Sequence, residues 1–233
     1  ELAKLPNVVC KVSGVITERS INRLDPVDRF VAPNNLHELL GEICGNRISF
    51  NYKINSLSQL NQLRHDGLAP IVSTIPMPTM LRILDIETKH TFQHAQIHTS
   101  RWRIPSCDVH QTIYFPGPET CVYRATLTGE DLILEGIQEP GSADESYISK
   151  SFYLSFSQAQ LVSKGSQRYG KIIPLQDDQR KDLLLQITLN HNIFSLGRFA
   201  CWRNVLLDDV YHDLRAVQQM IKFHRYDLMR AMT

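Results

Sequence analysis

Residues 122–137 of this 233-residue chain read VYRATLTGEDLILEGI, and this stretch decides the fold class. Two runs rich in apolar and β-branched residues, 122–127 and 132–137, flank a Thr-Gly-Glu-Asp turn. Such runs on both sides of a short turn that contains glycine are typical of a β-hairpin. Two further strand-like runs, 95–103 and 109–115, precede it. We therefore predict an antiparallel sheet in the middle of the chain.

The residues before the sheet mix helical and strand patterns. Asn34 and Asn35 precede apolar residues at helical spacing (Leu36, Leu39, Leu40, Ile43), which predicts a helix that ends near Gly45. The same half of the chain predicts a strand or hairpin at 8–16, a strand at 47–54, a short helix or turn at 57–63, a strand at 69–75 and a helix at 79–84.

The residues after the sheet are predominantly helical in pattern. Apolar residues recur every three or four positions at 179–189 and again at 204–232, which predicts two helices. Residues 139–146, EPGSADES, are polar and contain proline and glycine, so we predict a mobile surface loop there. The inward-facing residues predicted for the last helix are Val205, Leu206, Val210, Leu214, Val217 and Ile221.

Composition and charge exclude several classes of protein. Hydrophobic residues make up 42% and charged residues 21% of the chain, as in packed globular proteins. Lys plus Arg number 25 against 24 for Asp plus Glu, so no overall positive charge attracts nucleic acid. A local basic patch, and with it a nucleic-acid partner, is not expected but stays open. No apolar run approaches the roughly 20 residues of a membrane span and no signal peptide opens the chain, so we predict a cytoplasmic protein without a membrane partner.

Cysteine and histidine spacing does not predict a metal site. The five cysteines are odd in number and widely separated, which favours reduced thiols. His90, His94 and His98 recur every fourth residue and would share one face of a helix. However, residues 91–103 alternate and are rich in Thr, Ile and Trp, which favours a strand on which these histidines form a partly solvated stripe.

No self-sufficient catalytic motif is present. The sequence lacks GxSxG, HExxH, a Walker loop and the GxGxxG fingerprint that seats a dinucleotide pyrophosphate. Composition and periodicity alone therefore predict a soluble α/β domain and no particular reaction.

Four segments, taken in order, resemble one family of enzymes. They are CKVSGVITERSINRLDPVDRFVAP (10–33), PIVSTIPMP (70–78), YFPGPETCVYRATLTGEDLILE (114–135), and YGKIIPL (169–175) followed by HNIFSLGRFACWRNVLLDDVYHD (191–213). Together they are similar to the later part of FAD-dependent oxidoreductases of the amine-oxidase and UDP-galactopyranose-mutase type. The strongest similarity is to a compact flavoprotein-like group common in tailed-phage genomes, which would place the chain in a host cytoplasm.

The resemblance implies an α/β fold with α+β character. Residues 1–90 would form part of a nucleotide-binding-like domain, residues 91–165 an antiparallel substrate-domain sheet and loop, and residues 166–233 a return to the FAD-binding-like domain with a long C-terminal helix. The family's glycine-rich βαβ unit has no counterpart here, so the Rossmann-like domain would be incomplete. FAD binding would then need a missing N-terminal segment or a second chain to complete the sheet, and three origins stay open: a fragment, a split subunit and a flavin-free descendant.

The resemblance also implies site residues. Gly197 and Arg198 would approach the cofactor, Trp202 would stack near its ring, and the start of the last helix would face an anion; the predicted cofactor-binding residues are Gly197, Arg198, Trp202, Arg203, Asn204 and Asp208. Around a small-molecule substrate we expect Arg101, Arg103, Tyr114, Tyr123 and Arg124. From the residues alone, Arg198 could equally pair with Asp208 or Asp209, Trp202 could be core, and the tyrosines could be ordinary strand aromatics.

Two functions follow from the resemblance. In the first, the chain is the substrate and flavin-capping portion of an FAD-dependent oxidoreductase or mutase that acts on a small amine or nucleotide-sugar-like substrate. In the alternative, it is a flavin-free binding or assembly subunit of a phage-related complex. Residues 1–18 are also similar to a strand segment of TIM-barrel amidohydrolases, but the paired HxH and the later Gly-Ser-Asp-Trp-Pro element of those enzymes are absent.

Overall fold

The computed structural model describes Lys11, Val12, Gly14, Pro33 and residues 35–64 and 69–223. These residues form a mixed α/β structure. The helices are α1 (Leu36–Cys44), α2 (Leu57–Gln62), α3 (Met77–Ile83), α4 (Ser142–Phe152), α5 (Asp177–His191) and α6 (Leu207–Phe223). The strands are β1 (Ile71–Ser73), β2 (His94–Arg103), β3 (His110–Tyr114), β4 (Val122–Thr128), β5 (Asp131–Gly136), β6 (Gln160–Ile172) and β7 (Ile193–Ser195).

The larger sheet is antiparallel, with strand order β3-β4-β5-β2-β6. The predicted hairpin lies at its centre: Thr128 pairs with Asp131, and Gly129 takes φ 58° in the turn between them. One face of the sheet is buried against α4, because side chains on β4 and β5 alternate and Ala125, Leu132 and Leu134 pack with Ile148. The opposite face carries polar residues, Arg124 and Glu135 among them.

The smaller sheet pairs β1 with β7 in parallel. Helices α2, α3, α5 and α6 contribute apolar side chains to the core around it, and this core also contains Trp202. On α5 the core-facing stripe includes Leu183, Leu184 and Ile187, at the spacing of one helix face. None of the helices within residues 36–223 combines the length and the apolar character needed to cross a membrane.

Several sequence predictions are confirmed. The four central strands lie within a residue or two of their predicted bounds, and the predicted helices at 57–63, 79–84 and 179–189 correspond to α2, α3 and α5. Helix α1 ends at Gly45, which takes φ 54°. The described cysteines Cys44, Cys107, Cys121 and Cys201 are free thiols.

Two predictions between the helices are wrong. Residues 47–54 do not form a strand: a 3-10 turn at Gly45–Arg47 leads into irregular chain, and no strand among the described residues pairs with this segment. Residues 139–146 are not a mobile loop, since α4 begins at Ser142. The Asp144 carboxylate accepts a hydrogen bond from the backbone N–H of Gly141 at 3.0 Å and stabilises this helix start.

Two further predictions, one near each end of the chain, are corrected by the structure. Lys11 and Val12 are helical, so the strand or hairpin predicted at 8–16 is wrong at these two residues; its other positions, apart from Gly14, lie outside the described residues, as does most of the segment 10–33. Helix α6 begins at Leu207, and Leu206 is 72% exposed before it rather than inward-facing. Positions 224–232 of the predicted helix also lie outside the described residues.

Strand β6 was not predicted from the sequence. It spans Gln160–Ile172 and so runs across residue 165, the predicted end of the substrate-domain sheet and loop. Its pairing with β2 shifts register between Ala95 and Ile97, which makes a bulge around Gly170. A Cβ atom on Gly170 would lie 2.3 Å from Cγ1 of Ile97, so only glycine allows the two strands to approach this closely.

We expect Gly170→Ala to lower the free energy of unfolding by about 1–3 kcal/mol, because the added methyl group overpacks the contact with Ile97. Urea denaturation of the purified chain measures the change. Gly165→Ala on the same strand is the control: its Cβ would meet only the Thr99 hydroxyl, at 3.3 Å. Equal losses in the two variants would contradict the steric explanation.

Candidate functional site

The turn that follows β7, Gly197–Trp202, holds the predicted cofactor-binding residues. Gly197 takes φ 87°, and a Cβ atom on it would meet no neighbouring atom within 4 Å, so the backbone there borders open space. The turn is closed by a hydrogen bond from the N–H of Cys201 to the carbonyl of Gly197 at 2.9 Å. It is attached to the start of α3 because the N–H of Met77 donates to the carbonyl of Phe199, also at 2.9 Å.

Arg198 is a half-buried cation in this turn. Its guanidinium carbon lies 5.4 Å from the centre of the Phe199 ring. Its Nε atom is buried and has no hydrogen-bond partner among the described residues. Burial lowers the pKa of Arg198, and the nearby Tyr123 phenol partly offsets this shift. Within the described residues Arg198 forms no ion pair with Asp208 or Asp209, which was the alternative suggested by the sequence.

Tyr123, whose phenol acts on the pKa of Arg198, belongs to strand β4 of the large sheet. It is 2% exposed, and its hydroxyl donates a hydrogen bond to Oε1 of Glu135 at 2.9 Å. Burial, together with the Glu135 charge and this hydrogen bond, raises the pKa of Tyr123 well above its ordinary value. Two cations lie near its ring: the Lys171 ammonium at 5.6 Å and the Arg124 guanidinium at 5.9 Å from the ring centre.

Arg124 forms the strongest ion pair of the site. Its Nε donates to Oε2 of Glu135, and its Nη2 donates to Oε1 at 2.6 Å. These hydrogen bonds raise the pKa of Arg124, and Tyr114, its cross-strand partner on β3, contributes to the same shift. We call Tyr114, Tyr123, Arg124, Glu135, Lys171 and Arg198 the Tyr123 cluster. Three of its members are cations and one is a carboxylate.

Arg101 and Arg103 lie outside this cluster. Alternation puts them on the same face of the sheet as Glu135, but two and four residues nearer the hairpin turn, or about 7 and 14 Å along the strand. There they pair with exposed carboxylates: Nη2 of Arg101 lies 2.7 Å from Oδ2 of Asp131, and Nη1 of Arg103 lies 2.8 Å from Oε2 of Glu130. The structure thus brings together Tyr114, Tyr123 and Arg124 but not the two β2 arginines.

Trp202 is a core residue in this structure. It is fully buried, its Nε1 donates to the carbonyl of Ile173 at 3.0 Å, and its ring makes edge contacts with Phe92 at 5.1 Å and Tyr169 at 5.5 Å. A ligand could stack on this ring only if the surrounding rings moved. The core role is one of the two alternatives left open by the sequence.

The other predicted cofactor residues lie around the start of α6. Arg203 forms a buried ion pair with Asp213. Its Nη2 donates to both carboxylate oxygens, to Oδ1 at 2.7 Å and to Oδ2 at 2.6 Å. Asn204 and Asp208 are exposed. The backbone N–H of Leu206, just before α6, already donates to Oδ2 of Asp209 at 2.8 Å. One of the N–H groups at this helix start is therefore used within the protein.

A separate cleft of about 560 Å³ lies between Lys11, the 116–121 loop and the start of α4. The Lys11 ammonium donates to the carbonyls of Phe115 and Val122, both at 2.8 Å, and burial lowers its pKa. Burial also acts to raise the pKa of Asp144, but hydrogen bonds from Thr120, Gly141 and Cys121 outweigh it and leave that pKa below its ordinary value. The hydrogen bonds of Asp144 attach the 116–121 loop to the start of α4.

Sequence reasoning missed Glu135 and Lys171. The signal for Glu135 was present: in a two-residue hairpin that pairs Thr128 with Asp131, simple counting puts Arg124 opposite Glu135. Lys171 could not be found in this way, because its approach to Tyr123 depends on the unpredicted strand β6. No group of three or more His, Cys, Asp or Glu side chains in the described part of the chain is arranged to hold a metal ion.

Comparison with solved structures gives a distant similarity. No protein-family model and no curated protein sequence matches this chain. A solved structure entitled "Crystal structure of reduced UDP-Galactopyranose mutase" aligns with 70% of this chain and 43% of that chain, at a TM-score of 0.45 and 18% sequence identity. The matched region thus spans less than half of the length of that enzyme.

We expect Asp213→Ala to lower the free energy of unfolding by about 3–5 kcal/mol, because it leaves the Arg203 guanidinium buried without a counter-ion. Chemical denaturation measures the loss. Asp131→Ala, which breaks an exposed pair with Arg101, serves as the control and should cost no more than about 1 kcal/mol. A loss for Asp213→Ala as small as that of the control would show that the buried pair contributes little.

The thiol of Cys201 should resist alkylation at pH 8, because burial and the nearby Asp213 raise its pKa to about 11 and only the thiolate reacts quickly. Exposed Cys44 should be labelled first by iodoacetamide, as read by peptide mass spectrometry. In the unfolded chain the pKa of a cysteine thiol is about 8.5, so above this pH the unfolded state loses the proton before the folded state does. The free energy of unfolding should therefore fall as the pH rises from about 8.5 toward 11. Labelling of Cys201 as fast as Cys44 in the native protein would contradict this prediction.

Proposed function

We propose that this chain is the substrate-binding and flavin-capping portion of an FAD-dependent oxidoreductase or mutase. Its segments resemble the later part of such enzymes, and Arg198 carries the proposal. A buried donor without an acceptor costs about 1–3 kcal/mol. The Nε of Arg198 is such a donor, next to the open backbone of Gly197. An anionic group bound at this turn would remove that cost and neutralise the half-buried charge.

FAD fits part of the predicted residue set. Gly197 leaves room for close approach and Arg198 offers an unused donor, while Asn204 and Asp208 are accessible from solvent. Trp202 and Arg203 are used within the protein, so in this proposal they position the turn rather than touch the flavin. Bound FAD would supply the redox chemistry, and the chain would bind and orient the substrate and exclude water from it.

The charge of Arg198 favours one of the two substrate classes. Within the described residues Arg198 has no ion-pair partner, so a cationic amine would be repelled at this turn. A nucleotide-sugar-like substrate carries phosphate groups that Arg124 and Arg198 could bind. Tyr114, half-exposed beside Arg124, offers a ring and a hydroxyl to such a substrate. We therefore propose the nucleotide-sugar-like class over the amine.

A further polypeptide segment is also proposed to complete the small sheet. Among the described residues β1 pairs only with β7, and Val72 at its centre is 44% exposed. The apolar residues of α1 are uncovered as well, from 38% exposed at Leu39 to 69% at Ile43. An unpaired strand edge and an apolar helix face are both stabilised by an additional strand and its connection. An N-terminal segment or a second chain could supply them.

A second candidate function is the flavin-free binding or assembly subunit. The internal use of Trp202 and Arg203 favours it, because two of the six predicted cofactor residues then have structural roles. The two candidates differ in what the Gly197–Trp202 turn binds. A yellow protein after incubation with FAD and the completing segment supports the flavoprotein, and a colourless one supports the alternative.

Arg198→Gln should weaken UDP binding about tenfold or more, because it removes a charge-assisted hydrogen bond of roughly 1.5–3 kcal/mol. Isothermal titration calorimetry of the full chain with UDP measures the dissociation constant. Arg82→Gln, at an exposed position of α3, is the matched control and should leave it unchanged. Wild-type protein that does not bind UDP would contradict the proposed function.

A further inference from the structure

The carboxylate of Glu135 is shared by two consecutive residues of the neighbouring strand. Tyr123 donates to Oε1 at 2.9 Å, and Arg124 donates to both oxygens through Nη2 and Nε. The side chain of Glu135 is only 15% exposed and that of Arg124 is 34% exposed. The ion pair is therefore partly shielded from water, which strengthens it relative to an exposed pair.

A β-bulge makes this sharing possible. Consecutive residues of a regular strand point to opposite faces of the sheet. Here the register shifts between Val122, which pairs with Gly136, and Arg124, which pairs with Glu135. Tyr123 is the extra residue, and the bulge turns its side chain to the face that Arg124 occupies. Without the shift Tyr123 would point toward α4 and away from Glu135.

The geometry leaves part of Arg124 available. A guanidinium carries five N–H donors. Glu135 accepts two hydrogen bonds, from Nε and Nη2, which leaves three donors that Glu135 does not use. The half-exposed Tyr114 lies opposite Arg124 on β3 and also interacts with this guanidinium. A free arginine side chain samples many rotamers, whereas a two-point contact with a carboxylate fixes the plane of the guanidinium.

We infer that Glu135 is a positioning residue: it fixes Arg124 and Tyr123 so that the remaining guanidinium donors are presented to a phosphate-bearing ligand. Glu135 itself does not touch the ligand and acts through Arg124. It also offsets the charge of Arg124. The identity of the ligand rests on the proposed function, while the positioning itself rests only on the contacts within the chain.

Chemical labelling tests the positioning without any ligand. Phenylglyoxal modifies accessible guanidinium groups, and peptide mass spectrometry gives the rate at each arginine. We expect Glu135→Gln to raise the labelling rate of Arg124 about tenfold, the factor that corresponds to about 1.4 kcal/mol. Glu130→Gln, which affects only the exposed partner of Arg103, should leave Arg124 unchanged. Equal rates at Arg124 in the wild type and Glu135→Gln would overturn the inference.

Binding measurements then test whether the positioning serves a ligand. The Kd for UDP is measured for the wild type, Glu135→Gln, Arg124→Ala and the double variant. Glu135→Gln adds the same charge in both backgrounds, so that contribution cancels in the cycle. We expect the factor by which Glu135→Gln changes the Kd for UDP to differ between the two backgrounds. With Arg124 present, this factor should be about tenfold larger, that is toward weaker binding, than in the Arg124→Ala background. Additive effects would overturn the role of Glu135 in binding.

The two measurements separate the inference from the proposed function. If the wild type fails to bind UDP but Glu135→Gln still speeds the labelling of Arg124, the proposed function fails and the positioning stands. Should Glu135→Gln not fold, the wild type alone provides the test. Arg124 must then be labelled about tenfold more slowly than exposed Arg82, and a comparable rate would overturn the inference.

Discussion

The packing of Trp202 connects the two parts of the structure. Its indole N–H bonds the carbonyl of Ile173, just after β6 of the large sheet, and its ring meets Tyr169 of β6 and Phe92 just before β2. The residue itself ends the turn that follows β7 of the small sheet. Because the indole is fully buried, the turn cannot move without opening the core. Trp202 even accepts φ 46°, a backbone conformation that bulky residues rarely adopt, which the surrounding packing stabilises.

Two arginines near this turn are used in different ways. Arg203, just after the turn, forms a buried ion pair with Asp213, so its charge is neutralised within the protein. In the same turn, the Nε of Arg198 is buried without a hydrogen-bond partner among the described residues. Residues five positions apart in the sequence therefore have opposite roles, one structural and one suited to binding.

The sequence predicted four of the five strands of the large sheet. The hairpin at 122–137 was predictable because its turn and its alternating strands are local signals, and the hairpin register even implies the pairing of Arg124 with Glu135. The helix at Ser142 was missed because its start depends on a contact between Asp144 and the distant Thr120, whose hydroxyl donates at 2.6 Å. The strand predicted at 47–54 is wrong for the converse reason, since within the described part of the chain no strand pairs with its locally alternating residues.

By itself the sequence determined the element types that local periodicity and turn residues encode: the antiparallel centre, the amphipathic helices and the glycine of the turn after β7. Only the tertiary structure decided which of the predicted site residues meet. Arg101, Arg103 and Arg124 look alike in the sequence, but only Arg124 lies beside the bulge that turns Tyr123 toward Glu135, while the other two are paired near the hairpin turn. Side-chain partners across strands depend on register and bulges, and these arise from long-range pairing that no local pattern contains.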